Sequence, residues 1–401
     1  MNPSPSFRRS AIDLKGSADR LLCRPAFGIP FFFAVLFIVF HLSFYGIGET
    51  LSRFLESGLF RLGENAADAL RRCGASDLTV RYLIKGVYTS LASAIAFFPQ
   101  TVIFFLLIRA LNDCGYLSRV VFVTDRFFRM FGLSGRAVVP LLLGYGCAVS
   151  SVCICDSESS EGSAVICALP FIPCNARLTV LLFLADSFFP KQKAIFAVSV
   201  FALSFILIFL SFLMTSHRKK NPPPPITELP EYRLPNPRML LEETANTARE
   251  YFIRAGTAVG LCSAVFSALA MLMPSLKPTQ EFSKSLLYGF AARIAPIFRP
   301  LGFDDVSAVC ALIFGFFAKE NMIGIFPISA PVELSALFST AGAAAFTVFS
   351  MFYTPCASLL FAVAQKSGIR EATKLFFHTF TIAYTVSLIL YTILHIFWMD
   401  C

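Results

Sequence analysis

Apolar residues in this chain gather into long runs instead of alternating with polar ones. Residues 26–45 (AFGIPFFFAVLFIVFHLSFY), 194–216 and 255–276 contain no Asp, Glu, Lys or Arg. A run of ~18 or more such residues can cross a bilayer core of ~30 Å as a helix. Other apolar stretches are interrupted: 86–108 by Pro99, 137–155 by Pro140 and Gly-Tyr-Gly, and 164–186 by PFIPCNAR. In the second half 306–328 is broken by AKEN and 334–364 by YTPC. The last helix is expected over 375–398, ending at Trp398, an interfacial type of residue. The pattern predicts an all-α polytopic transmembrane helical bundle with roughly seven to nine membrane segments. Residues 217–245 (HRKKNPPPPITELPEYRLPNPRMLLEETA) cannot form one continuous helix, because their prolines favour extended geometry. They divide the chain into an N-terminal tail, 1–25, a first membrane half, 26–216, the linker itself and a second half, 246–401.

The halves echo each other. Phe128-Arg129-Met130-Phe131-Gly132-Leu133 resembles Phe298-Arg299-Pro300-Leu301-Gly302-Phe303. Gly144-Tyr145 and Gly315-Phe316 follow, then Pro173-Cys174 and Pro355-Cys356. If 137–155 and 306–328 are re-entrant, the N-terminus, 109–136, Arg218-Lys219-Lys220 and the group Lys366, Arg370, Lys374 all fall on one side. Cytoplasmic loops carry the Lys and Arg excess, so that side is expected to be cytoplasmic. The two re-entrant segments then enter from opposite faces, as in the inverted repeats of many secondary transporters.

Only 15% of the 401 residues are charged and 46 are Phe, far from the ~25% charge of a soluble domain. The net charge of +9 is read as topology, since no folded polar domain carries a basic face for nucleic acid. The first apolar run is longer than a secretory h-region of ~7–15 residues and is read as a retained helix. The chain has 12 cysteines, most of them inside apolar segments, so free thiols are expected instead of a disulfide framework.

Backbone groups freed by a broken helix must be satisfied by protein or water, so the breaks mark cavities. Three breaks place a thiol beside freed carbonyls: Cys147, Cys174 and Cys356. Thiolate suits Fe, Cu(I) and Zn better than Mg or Ca. Glu320 adds a carboxylate, with Lys319 as its neighbour, and a structural pair of Glu320 with Lys319 or Arg177 is the plain alternative. Ser150, Asn175, Asn321 and Thr354 offer further oxygen ligands. His41, His378 and His395 are scattered singly and read as packing or lipid-facing residues. Asp156, Glu158 and Glu161 read as a small solvated acidic loop. No G-x-x-x-x-G-K-[ST] occurs, so no nucleotide is expected to bind this chain.

Taken together these motifs resemble the membrane domain of the ferrous iron transport protein B family. The likeness covers nearly the whole chain: residues 97–126, Gly132-Leu133-Ser134-Gly135 with Gly144-Tyr145-Gly146-Cys147, Pro173-Cys174-Asn175-Ala176-Arg177-Leu178, Leu229 to Pro235, Ala318-Lys319-Glu320 and Tyr353-Thr354-Pro355-Cys356. The resemblance implies two Gate-type repeats and Fe(II) as the transported ion. It implies a path lined by Cys147, Cys174 and Cys356, with Glu320 beside them. The family usually begins with a soluble GTPase domain, which this sequence does not contain, so a separate GTPase subunit or a small accessory protein is the implied partner. The first gate also departs from the family's C-x-x-P, with Ser150 in the proline position.

The expectation is therefore a multi-pass transporter of the cell membrane, in contact with lipid and open to homo-oligomerisation. Its rivals are a Gate-domain transporter of another divalent metal or an organic solute, and a non-transporting membrane scaffold. An enzyme is not expected, because no nucleophile–base pair or cofactor fingerprint appears.

Overall fold

The computed structural model describes residues 17–96, 98–156, 159–216, 232–246, 284–317, 338–354 and 356–399, with shorter pieces between, Lys319 and Met322 among them. The regular elements among these residues are helices. After a short α1 (Ser17–Leu22), α2 (Pro25–Phe40) opens on a proline, whose fixed φ suits the first helical turn. A π turn over His41–Tyr45 carries it into α3 (Ile47–Arg72), so that Pro25–Arg72 is one helical run of 48 residues. Gly46 leaves helical geometry (φ −100°, ψ −118°) where the uncharged run 26–45 ends, and α3 starts after it.

Next come α4 (Asp77–Val80), α5 (Thr89–Ala96), α6 (Phe98–Asp113) and α7 (Tyr116–Arg129). The last two meet at 82°, with Gly115 left-handed at φ 82° between them. The basic segment expected over 109–136 is thus largely a helix. Leu117, Val120, Val121 and Phe128 of α7 are buried, while Arg126 is exposed.

Each half then repeats one sequence of devices. Gly132 and Gly302 both adopt left-handed backbone, at φ 69° and 76°, where a side chain would be strained. An apolar segment follows: α8 (Val138–Gly146) and α9 (Ala148–Ile154) in the first half, and α14 (Val306–Phe317) in the second, where α13 (Leu286–Ile294) precedes the glycine as α7 does in the first. A serine-capped helix comes next. Ser159 accepts from the Gly162 amide at 3.0 Å before α10 (Ser160–Ala168), and Ser339 from the Gly342 amide at 3.1 Å before α15 (Thr340–Phe352). A Pro-Cys break then leads into α11 (Asn175–Phe188) and α16 (Ala357–Ser367), and each half closes on a long helix, α12 (Lys193–Ser216) or α17 (Ile369–Met399). The repeat seen in three short motifs is therefore a repeat of architecture.

Four contacts fix the directions. Ser134 donates to Glu161 Oε1 from its amide (3.0 Å) and hydroxyl (2.5 Å), so the excursion 135–160 begins and ends at one place. Within it Ser151 of α9 donates to the Pro140 carbonyl of α8 at 2.5 Å, which makes α8 and α9 a hairpin. At nine residues, α8 rises only about 13.5 Å, roughly half of a ~30 Å core. The first gate is thus re-entrant. The rings of Phe188 and Phe338 meet at 5.6 Å, so the end of α11 lies beside the start of α15. Lys366, at the end of α16, donates to the Val152 and Cys153 carbonyls at the end of α9. The two broken spans, Glu161–Phe188 and Thr340–Ser367, therefore cross in opposite directions, as an inverted repeat requires. Met322 fills the space beside Gly315, its Cγ lying 2.3 Å from where a Cβ would be, so the chain also turns back after α14.

The described residues contain five helical stretches long and apolar enough to span: Pro25–Arg72, Glu161–Phe188, Lys193–Thr215, Thr340–Ser367 and Ile369–Ile396, with α6–α7 as a sixth if the bent pair is one span. Most of the uncharged run 255–276 lies outside the described residues. The described cysteines are all free thiols, as the setting predicted.

On the face shared by Ser134, Glu161 and Lys366, the linker and the N-terminal segment are tied together. Arg119 (3% exposed) donates to both carboxylate oxygens of Asp19, at 3.1 and 3.4 Å. Tyr232 of the linker donates to Asp19 at 2.8 Å, and its ring lies 3.9 Å from the Arg119 guanidinium. Burial pushes the Asp19 carboxyl up. The hydrogen bonds from Arg119 and Tyr232 and the Arg119 charge outweigh that, and its pKa ends below its ordinary value. A carboxyl with a depressed folded pKa contributes stability that is complete above its unfolded value, about 3.9, and is lost as pH falls through the lower folded value. Asp19→Asn strands the Arg119 charge, and loss of one partner of a buried pair costs about 3–5 kcal/mol. The unfolding midpoints of Asp19→Asn and wild type should therefore differ most above the unfolded carboxyl value and converge as pH falls through the lower folded one. A gap that does not narrow with acid would show that Asp19 is not held ionised by this tie.

Candidate functional site

The site grows out of three helix starts. Cys147, Cys174 and Cys356 are the N-cap residues of α9, α11 and α16. All three have extended backbone, with ψ of 120°, 167° and 154°, and each is partly buried. The N-terminal ends of helices carry partial positive charge and unpaired amides. The three thiols also lie in one region of the protein. The structure therefore brings together the three cysteines that the sequence singled out. Among the described residues, however, no group of three or more His, Cys, Asp or Glu lies close enough together to hold a metal ion.

Two buried cations stand beside the thiols. Arg177 (4% exposed) in the first turn of α11 donates to the carbonyls of Pro170, of Ile172 at 3.2 Å and of Thr354 at 3.2 Å. One guanidinium thus ties the first Pro-Cys break to the second. Lys319 (3% exposed) donates to the Ser350 carbonyl at 3.1 Å and lies 3.7 Å from the centroid of the Tyr353 ring. Tyr353 is itself fixed by donating to the Leu312 carbonyl of α14 at 2.5 Å. Glu320 and Asn321 lie outside the described residues, so the expected pairs of Glu320 with Lys319 or Arg177 do too.

Asn175 donates to Gln100 Oε1 at 2.9 Å, which draws α6 to the start of α11. Gln100 is buried and escaped the sequence reading. Its only signal is an uncharged amide beside Pro99 in an apolar stretch. Ser150 is buried on α9, one residue from the Ser151 that closes the hairpin. The Thr354 side chain is buried as well, and its carbonyl serves Arg177. Glu161 departs from the solvated reading of its loop, since it closes the root of the hairpin on Ser134. The histidines behave as packing residues: His41 stacks on Phe37 and Tyr45, and the ring of His378 meets the edge of Phe171.

Two antiparallel broken spans, a re-entrant first gate and a polar centre at the breaks define a multi-pass membrane protein of the cell membrane built on an inverted repeat. The Gate family, described as nucleoside recognition, matches residues 94–188 and 196–370, and the chain belongs to that family. Across 394 aligned residues it is 29% identical to the Fe(2+) transporter FeoB of Staphylococcus aureus (strain MSSA476), covering 94% of this chain and 59% of the relative. It is 28% identical to the Fe(2+) transporter FeoB of Campylobacter jejuni, over 94% of this chain and 65% of the relative. Identity to the Fe(2+) transporter FeoB of Methanocaldococcus jannaschii is also 28%, over 77% of this chain and 49% of the relative. The chain spans about 60% of the length of the first two relatives. No solved structure matches.

Proposed function

We propose that this chain moves Fe(II) across the membrane through the centre where the breaks of its two repeats meet. The observation that carries the reading is the meeting of Cys147, Cys174 and Cys356, each on a helix N-cap. The printed names of the relatives point to the same ion. Thiolate sulfur prefers Fe(II) to a hard ion such as Mg(II). In this reading the hydrated ion sheds water against sulfur, against carbonyls freed at the breaks and against Glu320. The path is read as successive sites and not one closed cage, since a carried ion must also leave and no group of three or more His, Cys, Asp or Glu forms a cage among the described residues. Arg177 and Lys319 hold the breaks, their charges directed at carbonyls and a ring. The face bearing α7, the linker and Lys366 is the cytoplasmic one, because it carries the basic excess. A GTPase domain is the proposed partner of this membrane region, in which no phosphate-cradling loop occurs.

A second reading, transport of another divalent metal or of an organic solute, also has support. Two buried basic side chains, Arg177 and Lys319, stand at the centre, and the described residues form no metal cluster. Purified chain in proteoliposomes decides between them. Fe(II) uptake that resists excess Mg(II), with or without an added GTPase domain, is the expected result. Equal uptake of Mg(II), or no metal uptake under either condition, would sink the iron reading.

A further inference from the structure

We propose that Lys366 is a positioning residue that holds α9, the returning arm of the first re-entrant hairpin, against the second repeat, and so sets how far the thiol centre opens toward the basic face. The proposal rests on the transport reading above. α9 and α16 run side by side in the same direction, starting together at Cys147 and Cys356. At their far ends the Lys366 ammonium donates to the Val152 carbonyl at 2.9 Å and the Cys153 carbonyl at 2.6 Å. Carbonyls at a helix C-terminus carry partial negative charge and attract a cation. Lys366 thus caps a helix of the other repeat instead of its own.

Besides the packing of the buried Val149 and Val152 in the core shared with α16, the hairpin has two other hydrogen-bonded fixings, and both lie within the first half. Ser134 and Glu161 close its root, and Ser151 binds its arms together through the Pro140 carbonyl. Neither restrains the hairpin against α16. Lys366 does so, and its side chain is exposed, so water can replace the contact reversibly. Cys147 sits at the tip of the arm that Lys366 holds at its base. Releasing that base lets α9 swing, which moves Cys147 away from Cys356.

The test compares wild type with Lys366→Met, Lys366→Gln and Lys366→Arg. Two quantities are read: Fe(II) uptake in proteoliposomes, and the rate at which N-ethylmaleimide modifies Cys147, followed on its peptide by mass spectrometry. Lys366→Met should raise the modification rate about fivefold, the scale of a helix-end cation contribution, and should alter the maximal uptake rate. Lys366→Arg, which can serve both carbonyls, should restore both readouts. Lys374→Met should leave both unchanged, since Lys374 pairs with Glu371 at 2.5 Å on its own helix. If Lys366→Met does not fold, Lys366→Gln carries the same expectation with a donor retained and the charge removed. Unchanged Cys147 modification in these variants overturns the proposal, whatever happens to uptake. Faster modification with no metal uptake in the wild type supports the positioning role and removes the transport reading instead.

Discussion

Cys174→Ala and Cys356→Ala are each expected to cut Fe(II) uptake at least about tenfold, which corresponds to about 1.4 kcal/mol of lost stabilisation along the path. Both cysteines sit at equivalent breaks of two repeats that cross the membrane in opposite directions, so they approach one centre from opposite sides. The sulfur is the only soft donor at either N-cap, and alanine there leaves the extended backbone untouched. Cys147→Ala should act in the same direction. Cys310→Ala is the stringent control. It is fully buried in the unbroken α14, so its loss removes packing without touching a break. Cys23→Ala should do little, since Cys23 lies between α1 and α2 near the end of the chain. If Cys310→Ala reduces uptake as much as Cys356→Ala, or if all three gate variants transport normally, the thiol-lined path is wrong. Carbonyls, Ser150 and Glu320 would then have to form the path.

The repeat was legible because its devices depend on residues that cannot be exchanged freely. Gly132 and Gly302 are left-handed, and Pro with Cys ends a helix and begins another in both halves. The interruptions in the apolar pattern located the three thiols, because an uninterrupted helix leaves no carbonyl free to face a path. What remained hidden is what distant residues do to one another. Nothing in the local pattern of Ser134 and Glu161 announces that they close a hairpin across 27 positions. Asp19, Arg119 and Tyr232 read as unrelated charges and a linker tyrosine until folding brings them together. Gln100 is silent for another reason. An amide carries no charge to stand out, and only its bond to Asn175 shows why it sits in an apolar helix.

Arg177→Met is expected to be the most destabilising single change at the centre, and to abolish uptake even where folded protein is recovered. Two effects oppose each other. Burying a guanidinium costs several kcal/mol, and methionine of similar length recovers that cost. Against this, the carbonyls of Pro170, Ile172 and Thr354 each lose a charge-assisted donor. A buried carbonyl left without its partner costs about 1–3 kcal/mol, and a carbonyl cannot neutralise itself as an ionisable side chain can. Three such losses outweigh the recovered desolvation, for a net cost of about 2–5 kcal/mol. Arg177→Lys separates stability from function. A lysine reaches one or two of the carbonyls as a point charge but lacks the planar fork that serves both breaks at once. That variant should recover most of the unfolding midpoint and little of the flux. Thr354 lies two residues before Cys356, so its carbonyl sets where the second thiol stands relative to the first. Unfolding midpoints in detergent and Fe(II) uptake in proteoliposomes read the two effects separately. Wild-type uptake by Arg177→Lys would mean that the fork between the breaks is dispensable, and that any cation at this position aligns the two repeats.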